Sequence, residues 1–185
     1  MGRIGRRRLG RGVFHVFNRA LDRRRVLADE ADKQALLDQL ARFAAERDCV
    51  VYHWCLMSNH FHLAVEALRV ADLIYVVGQA CRRFALLHHR RHGGCGYLWQ
   101  GRFRSVLVQK AGYLGRLGVY IERNPLAAHV PGVSAASDYR WSSARAYVLG
   151  TADPLVDVAA HPEWAASGAE EAARQACYAR LSQGG

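Results

Sequence analysis

A chain of 185 residues, 51% of them hydrophobic, is enough for one domain with a sizeable core. Its net charge of +10 and pI near 9.9 point to a polyanionic partner, nucleic acid ahead of an anionic membrane. No apolar run approaches the roughly 20 residues needed to span a bilayer. The arginines at the start are followed by no apolar segment, so no secretory signal is expected. The five cysteines are scattered and contain no Cys-x-x-Cys, which argues against a zinc knuckle or a disulfide framework and fits a reducing cytoplasm.

Residues 1–12 are rich in Gly and Arg (Arg3, Arg6, Arg7, Arg8, Arg11) and read as a flexible basic arm, either tracking a phosphate backbone or simply solvated. Gly12 to Phe17 reads as a first strand closed by Asn18 and Arg19. Asp29 is placed to cap a helix running to about Arg47, with Leu36, Leu40, Phe43 and Ala44 as its buried stripe. Cys49–Leu56 and His60–Glu66 form a hairpin across Met57-Ser58-Asn59.

Asp72 opens a second helix with Leu73, Val77, Ala80, Phe84 and Leu87 inward. It ends in His88-His89-Arg90-Arg91-His92 before Gly93-Gly94, which sets positive charge at the negative end of the helix dipole. Arg82 and Arg83, with Arg90 and Arg91, could form a basic rim for DNA. A loop then leads to a strand at Phe103–Val108. Within the loop Trp99 has two readings, a stacking platform for an unpaired base or a seal on the core, and Arg102 and Arg104 stand nearby for phosphate.

The next helix carries Leu114, Leu117 and Ile121 as its apolar stripe. Asn124 precedes Pro125 and should be its last helical residue. Tyr139, Trp141 and Tyr147 read as packing, and His161–Arg180 as a short Ala-rich terminal helix. The first six elements follow the β-α-β-β-α-β split of ferredoxin-like folds, an α+β antiparallel sheet with helices on one face and the other face free for a ligand.

Two constellations carry chemistry. His60 and His62 lie two apart on a strand, so they share one face roughly 6–7 Å apart, while Phe61 points to the other. Two imidazoles so placed can grip a metal ion, or can be strand histidines bonded to neighbours. Tyr120 and Asn124, four apart on a helix, can meet the same object. A phenol can act as nucleophile and an amide oxygen as third ligand for a hard cation. The alternative is a core tyrosine and a capping asparagine.

Together these residues resemble the HUH-type (His-hydrophobe-His) single-tyrosine transposases, in particular the REP-associated tyrosine transposases. Five segments in the family's order carry the resemblance: Phe14–Arg19, Cys55–Glu66, Tyr97–Leu107, Tyr120–Pro125 and Asp138–Tyr147. It implies a ferredoxin-like or RRM-like HUH endonuclease domain over residues 13–148, between the basic arm and an extension at 149–185.

It further implies cleavage of single-stranded DNA at palindromic hairpin repeats. Tyr120 would attack phosphorus to give a 5′-phosphotyrosine. His60, His62 and Asn124 would hold Mg²⁺ or Mn²⁺. Asn18 and Arg19 would lie beside bound DNA, as would Arg82, Arg83, Trp99, Arg102 and Arg104 if the basic rim and the loop take part. The resemblance leans to a monomer, with a dimer the other option. Ser58, Ala127 and His129 depart from the family's usual residues and put DNA affinity near the third helix in question. Two other functions compete: a noncatalytic RRM-like nucleic-acid-binding module, and a metal-dependent hydrolase in which water attacks.

Overall fold

The computed structural model describes residues 10–109, 112–164, 166 and 170–183. The expected arm at 1–12 lies almost wholly outside the described residues. Four strands, β1 (Gly12–Arg19), β2 (Cys49–Leu56), β3 (His60–Ala67) and β4 (Arg104–Leu107), form one antiparallel sheet in the order β2-β3-β1-β4. Two long helices, α1 (Glu30–Ala45) and α2 (Val70–His92), connect them in the ferredoxin-like manner. No helix among the described residues is long and apolar enough to cross a membrane.

Alternation sorts the strand side chains into two layers. Phe14, Val16, Trp54, Leu56, Phe61, Leu63 and Val65 belong to one core with Leu36, Leu40 and Phe43 of α1 and Leu73, Val77, Ala80 and Phe84 of α2. Burying each large apolar side chain contributes about 1.5–3 kcal/mol, so this layer dominates the stability. Asp29 caps α1 as expected, accepting a hydrogen bond from the Ala31 N–H at 2.7 Å.

The opposite face is only half open. Helix α3 (Leu114–Glu122) lays Leu114, Leu117 and Ile121 on Tyr52, Cys55, Met57 and Ala64, and so covers the β2/β3 half. A bulge between Val51 and His53 inserts Tyr52 as an extra residue under this helix. The β1/β4 half remains accessible.

Three boundaries differ from expectation. Helix α2 begins at Val70, and buried Asp72 instead accepts from Arg69 at 2.8 Å. Asn124 does not close α3. The helix ends at Glu122, and Asn124 opens a short helix α4 (Asn124–Ala127) with Pro125 in its first turn, where a missing N–H costs nothing. The stretch read as packing forms α5 (Ala144–Leu149), closed by Gly150 in the left-handed region, and the terminal helix α6 spans Glu171–Gln183.

Candidate active site

The sheet register assembles the site. Pairing of β1 with β3 sets Phe17 opposite His62 and Arg19 opposite His60. His15, Phe17 and Arg19 therefore share the face that carries the histidine pair. The His60 and His62 rings sit perpendicular with centroids 5.3 Å apart. Tyr120 projects from the outer side of α3, 56% exposed, its ring centroid 6.0 Å from that of His62 and 5.8 Å from that of His15.

Hydrogen bonds fix which nitrogens face inward. His60 Nδ1 is 2.6 Å from Asn59 Oδ1, and His62 Nδ1 is 3.0 Å from His15 Nε2. Asn59 Oδ1 can only accept, so His60 carries its proton on Nδ1 and keeps a lone pair on Nε2, while in the His15–His62 contact either ring can donate. The Asn124 amide nitrogen donates to the carbonyls of Tyr120 and Ile121, both at 3.0 Å. The same side chain is within hydrogen-bond reach of His60.

His60, His62 and Asn124 are the residues here that could hold a divalent cation. Hydrogen-bonded neighbours such as Asn59 and His15 orient metal ligands. Burial, reinforced by Arg19, holds His60 below its ordinary pKa. Burial lowers His62 to about 3, with His60, His15 and Arg19 adding to the effect. Both rings are therefore neutral at pH 7, as ligation requires.

A cleft of about 510 Å³ opens beside Tyr120 between β4 and α3, lined by His15, Val106, Val108, Tyr113, Leu117 and Tyr120 among others. Arg104 on β4 stands opposite Phe17 and is exposed on the same face. Arg102 is exposed in the loop just before it.

Other residues singled out from sequence lie elsewhere. Asn18 is buried on the helix side, donating to the Gly101 carbonyl at 3.3 Å and accepting from the Arg19 N–H at 3.0 Å. It braces the loop that presents Arg102 and does not face the histidines. Arg82 and Arg83 are exposed on α2, in the layer behind the sheet. Of the two readings of Trp99, the structure favours the seal. The ring is 8% exposed, its N–H donates to the Cys81 carbonyl at 3.1 Å, and it meets Phe61 and Phe84 edge-on or tilted. The exposed aromatic of that loop is Tyr97.

Sequence reasoning missed what holds α3. Glu122 is fully buried and accepts from Ser143 Oγ at 2.6 Å and Tyr178 Oη at 2.8 Å, with His53 Nδ1 at 2.9 Å. His53 Nε2 lies 3.0 Å from His161 Nε2, and His161 Nδ1 accepts from the Glu163 N–H. The Glu163 carboxylate in turn accepts the N–H groups of Leu114 and Gly115 at the start of α3. Donor and acceptor roles close consistently with both histidines neutral. The segment beyond α5 thus anchors both ends of the helix that carries Tyr120. A Cβ on Gly118 would fall 2.3 Å from the His53 ring, so α3 can approach β2 this closely only with glycine there.

The buried histidines predict an acid-labile fold. Burial, with the adjacent His53, also lowers His161 to about 3. His161 and His62 stay neutral in the folded state, whereas in the unfolded chain each takes up a proton near its ordinary value of about 6.5. The folded-state pKa is depressed, so their contribution is complete above about pH 6.5 and is lost progressively as pH falls toward 3. The urea midpoint of metal-free protein should drop between pH 7 and pH 4.5, and less so for His161→Gln. A flat profile would show that these rings are not buried neutral.

The family described as "Transposase IS200 like" matches residues 11–124. No curated protein matches the chain. A solved REP-associated tyrosine transposase bound to a REP hairpin superposes with a TM-score of 0.62 at 18% identity, over 88% of this chain and 96% of that one. A putative transposase from Deinococcus radiodurans aligns at 24% identity with a TM-score of 0.44, over 66% of this chain and 95% of that one.

Proposed function

The chain belongs to the family of IS200-like transposases, and from that premise we propose that it cuts and rejoins single-stranded DNA beside hairpin repeats, with Tyr120 as nucleophile. The observation that supports this best is the half-exposed Tyr120 ring, 6.0 Å from the ring of His62 and bordering an open cleft. A core tyrosine would be buried. A tyrosine serving only to bind would need no pair of neutral, pre-oriented imidazoles beside it.

In the proposed reaction the Tyr120 oxygen forms a bond to phosphorus while the bond from phosphorus to the 3′ oxygen breaks. The phenolic proton leaves to solvent and the 3′ oxygen takes one up, giving a 5′-phosphotyrosine and a free 3′-hydroxyl. The phosphodiester's energy is retained in the adduct, so rejoining by the reverse step needs no nucleotide cofactor. His60, His62 and Asn124 would hold Mg²⁺ or Mn²⁺, which when bound neutralises charge developing on the phosphate. Arg19 and Arg104 add fixed positive charge on the same face and can hold the DNA backbone. Phe17, beside His62, presents an apolar surface to bases. His15 acts as a positioning residue that sets the His62 ring. We take the working unit to be a monomer, the state to which the family resemblance leans.

The solved relative's REP hairpin suggests the test substrate. A labelled hairpin oligonucleotide with single-stranded flanks, incubated with the protein and Mn²⁺, should yield a species that keeps label on the protein after denaturation. Cleavage without such an adduct would overturn the reading in favour of a water-using hydrolase. Binding without cleavage would overturn it in favour of a noncatalytic module.

A further inference from the structure

On the far side of the sheet from His60 and His62, the C-terminal turn of α2 meets the N-terminal turn of α1. His88 and His92, four apart, lie on one side of α2 with ring centroids 4.4 Å apart. Buried Asp32 reaches them from α1, its carboxylate 2.9 Å from His92 Nε2. One ligand atom from each of the three lies within 4.8 Å of the other two. We propose that Asp32, His88 and His92 form a second metal site, selective for Zn²⁺ or a similar transition ion and separate from the site beside Tyr120.

Three observations carry this. The donor set is two imidazoles and one carboxylate from two elements, the mixture of nitrogen and oxygen that suits zinc with a fourth position left for water. His88 Nδ1 is buried with no hydrogen-bond partner among the described residues, a costly state for a polar atom that a bound ion or a water would relieve. Arg91 donates to the other oxygen of Asp32 at 3.0 Å and to Asp29 at 2.7 Å. That leaves one Asp32 oxygen for an ion and braces the carboxylate from outside, as partners of metal ligands do. The negative end of the α2 dipole, which favours a cation, faces the positive end of the α1 dipole here, so the helix ends do not decide the matter. Arg24 and Arg91 place two positive charges nearby, offset by Asp29 and Asp32.

His92 and Asp32 now bond each other directly, so an ion would replace that contact and pin α1 to α2. Such a site ties the two helices of the main core and involves none of the residues assigned to DNA cleavage.

The test uses full-length protein carrying His60→Ala and His62→Ala, which removes the other candidate ligands. Zn²⁺ titrated into this protein should bind at about one equivalent and raise its unfolding temperature. Co²⁺ in its place should give visible bands typical of a tetrahedral site. Adding His88→Gln and His92→Gln should remove both the stoichiometric binding and the thermal shift while far-ultraviolet circular dichroism stays the same. Absence of stoichiometric binding in the first protein would overturn the proposal. So would binding that survives in the second. Neither result depends on whether Tyr120 cleaves DNA.

Discussion

Tyr120→Phe should lower the rate of hairpin cleavage by on the order of 10⁴-fold or more, the scale seen when a covalent nucleophile is removed. The change takes away one oxygen from a side chain that is 56% exposed and whose hydroxyl makes no hydrogen bond among the described residues. Stability should therefore stay within about 0.5 kcal/mol, as for ordinary surface substitutions. Affinity for the hairpin should change little, because the basic face is untouched. This combination is diagnostic. A merely structural tyrosine would lose stability with activity, and a hydrolase using water would keep cutting.

The second large effect is expected at Glu122. Its carboxylate accepts from Ser143 and Tyr178, two neutral donors on other elements, and lies against His53. Glu122→Ala leaves these groups buried and unpaired, at a cost of about 3 kcal/mol. For a domain of this size that corresponds to a fall of roughly 6–12 °C in the midpoint of unfolding. The effect should reach catalysis as well. Glu122 lies two residues from Tyr120, and a shift of about 1 Å in a reacting group can cost ~10²-fold. At a temperature where the variant is fully folded by circular dichroism, its cleavage rate should remain depressed. Glu122→Gln, which keeps shape and one acceptor, should fall between. Unchanged thermal unfolding in Glu122→Ala would show that the network does not anchor α3.

These two predictions rest on parts of the chain that differed in how far they could be read in advance. The hairpin, the two long helices and the placement of His60 and His62 on one face follow from local periodicity, which the sequence carries residue by residue. Leu114, Leu117 and Ile121 announced α3 in the same way. His15 is not legible in the sequence, because a lone histidine in an apolar strand carries no local signal. Only the pairing of Phe17 with His62 brings it beside the site, and such register is set by contacts far apart in sequence.

Trp99 illustrates the opposite problem. Its loop has no period, so an aromatic there reads equally as platform or plug until Cys81, Phe61 and Phe84 are seen around it. Glu122 was the most legible of the missed residues. A carboxylate four residues after Gly118 on a helix with an apolar face is out of place unless something buried receives it. Its direct partners, His53, Ser143 and Tyr178, are far apart in sequence, and Tyr178 lies beyond the stretch that carries the resemblance to known transposases.

Mass spectrometry of the trapped adduct tests most directly whether the Tyr120 oxygen becomes bonded to DNA phosphorus. Trypsin should release residues 117–123, Leu-Gly-Val-Tyr-Ile-Glu-Arg, as one peptide. After nuclease trimming, this peptide should carry a nucleotide attached to Tyr120 through its 5′-phosphate. A nucleotide on any other residue, or one attached through a 3′-phosphate, would contradict it.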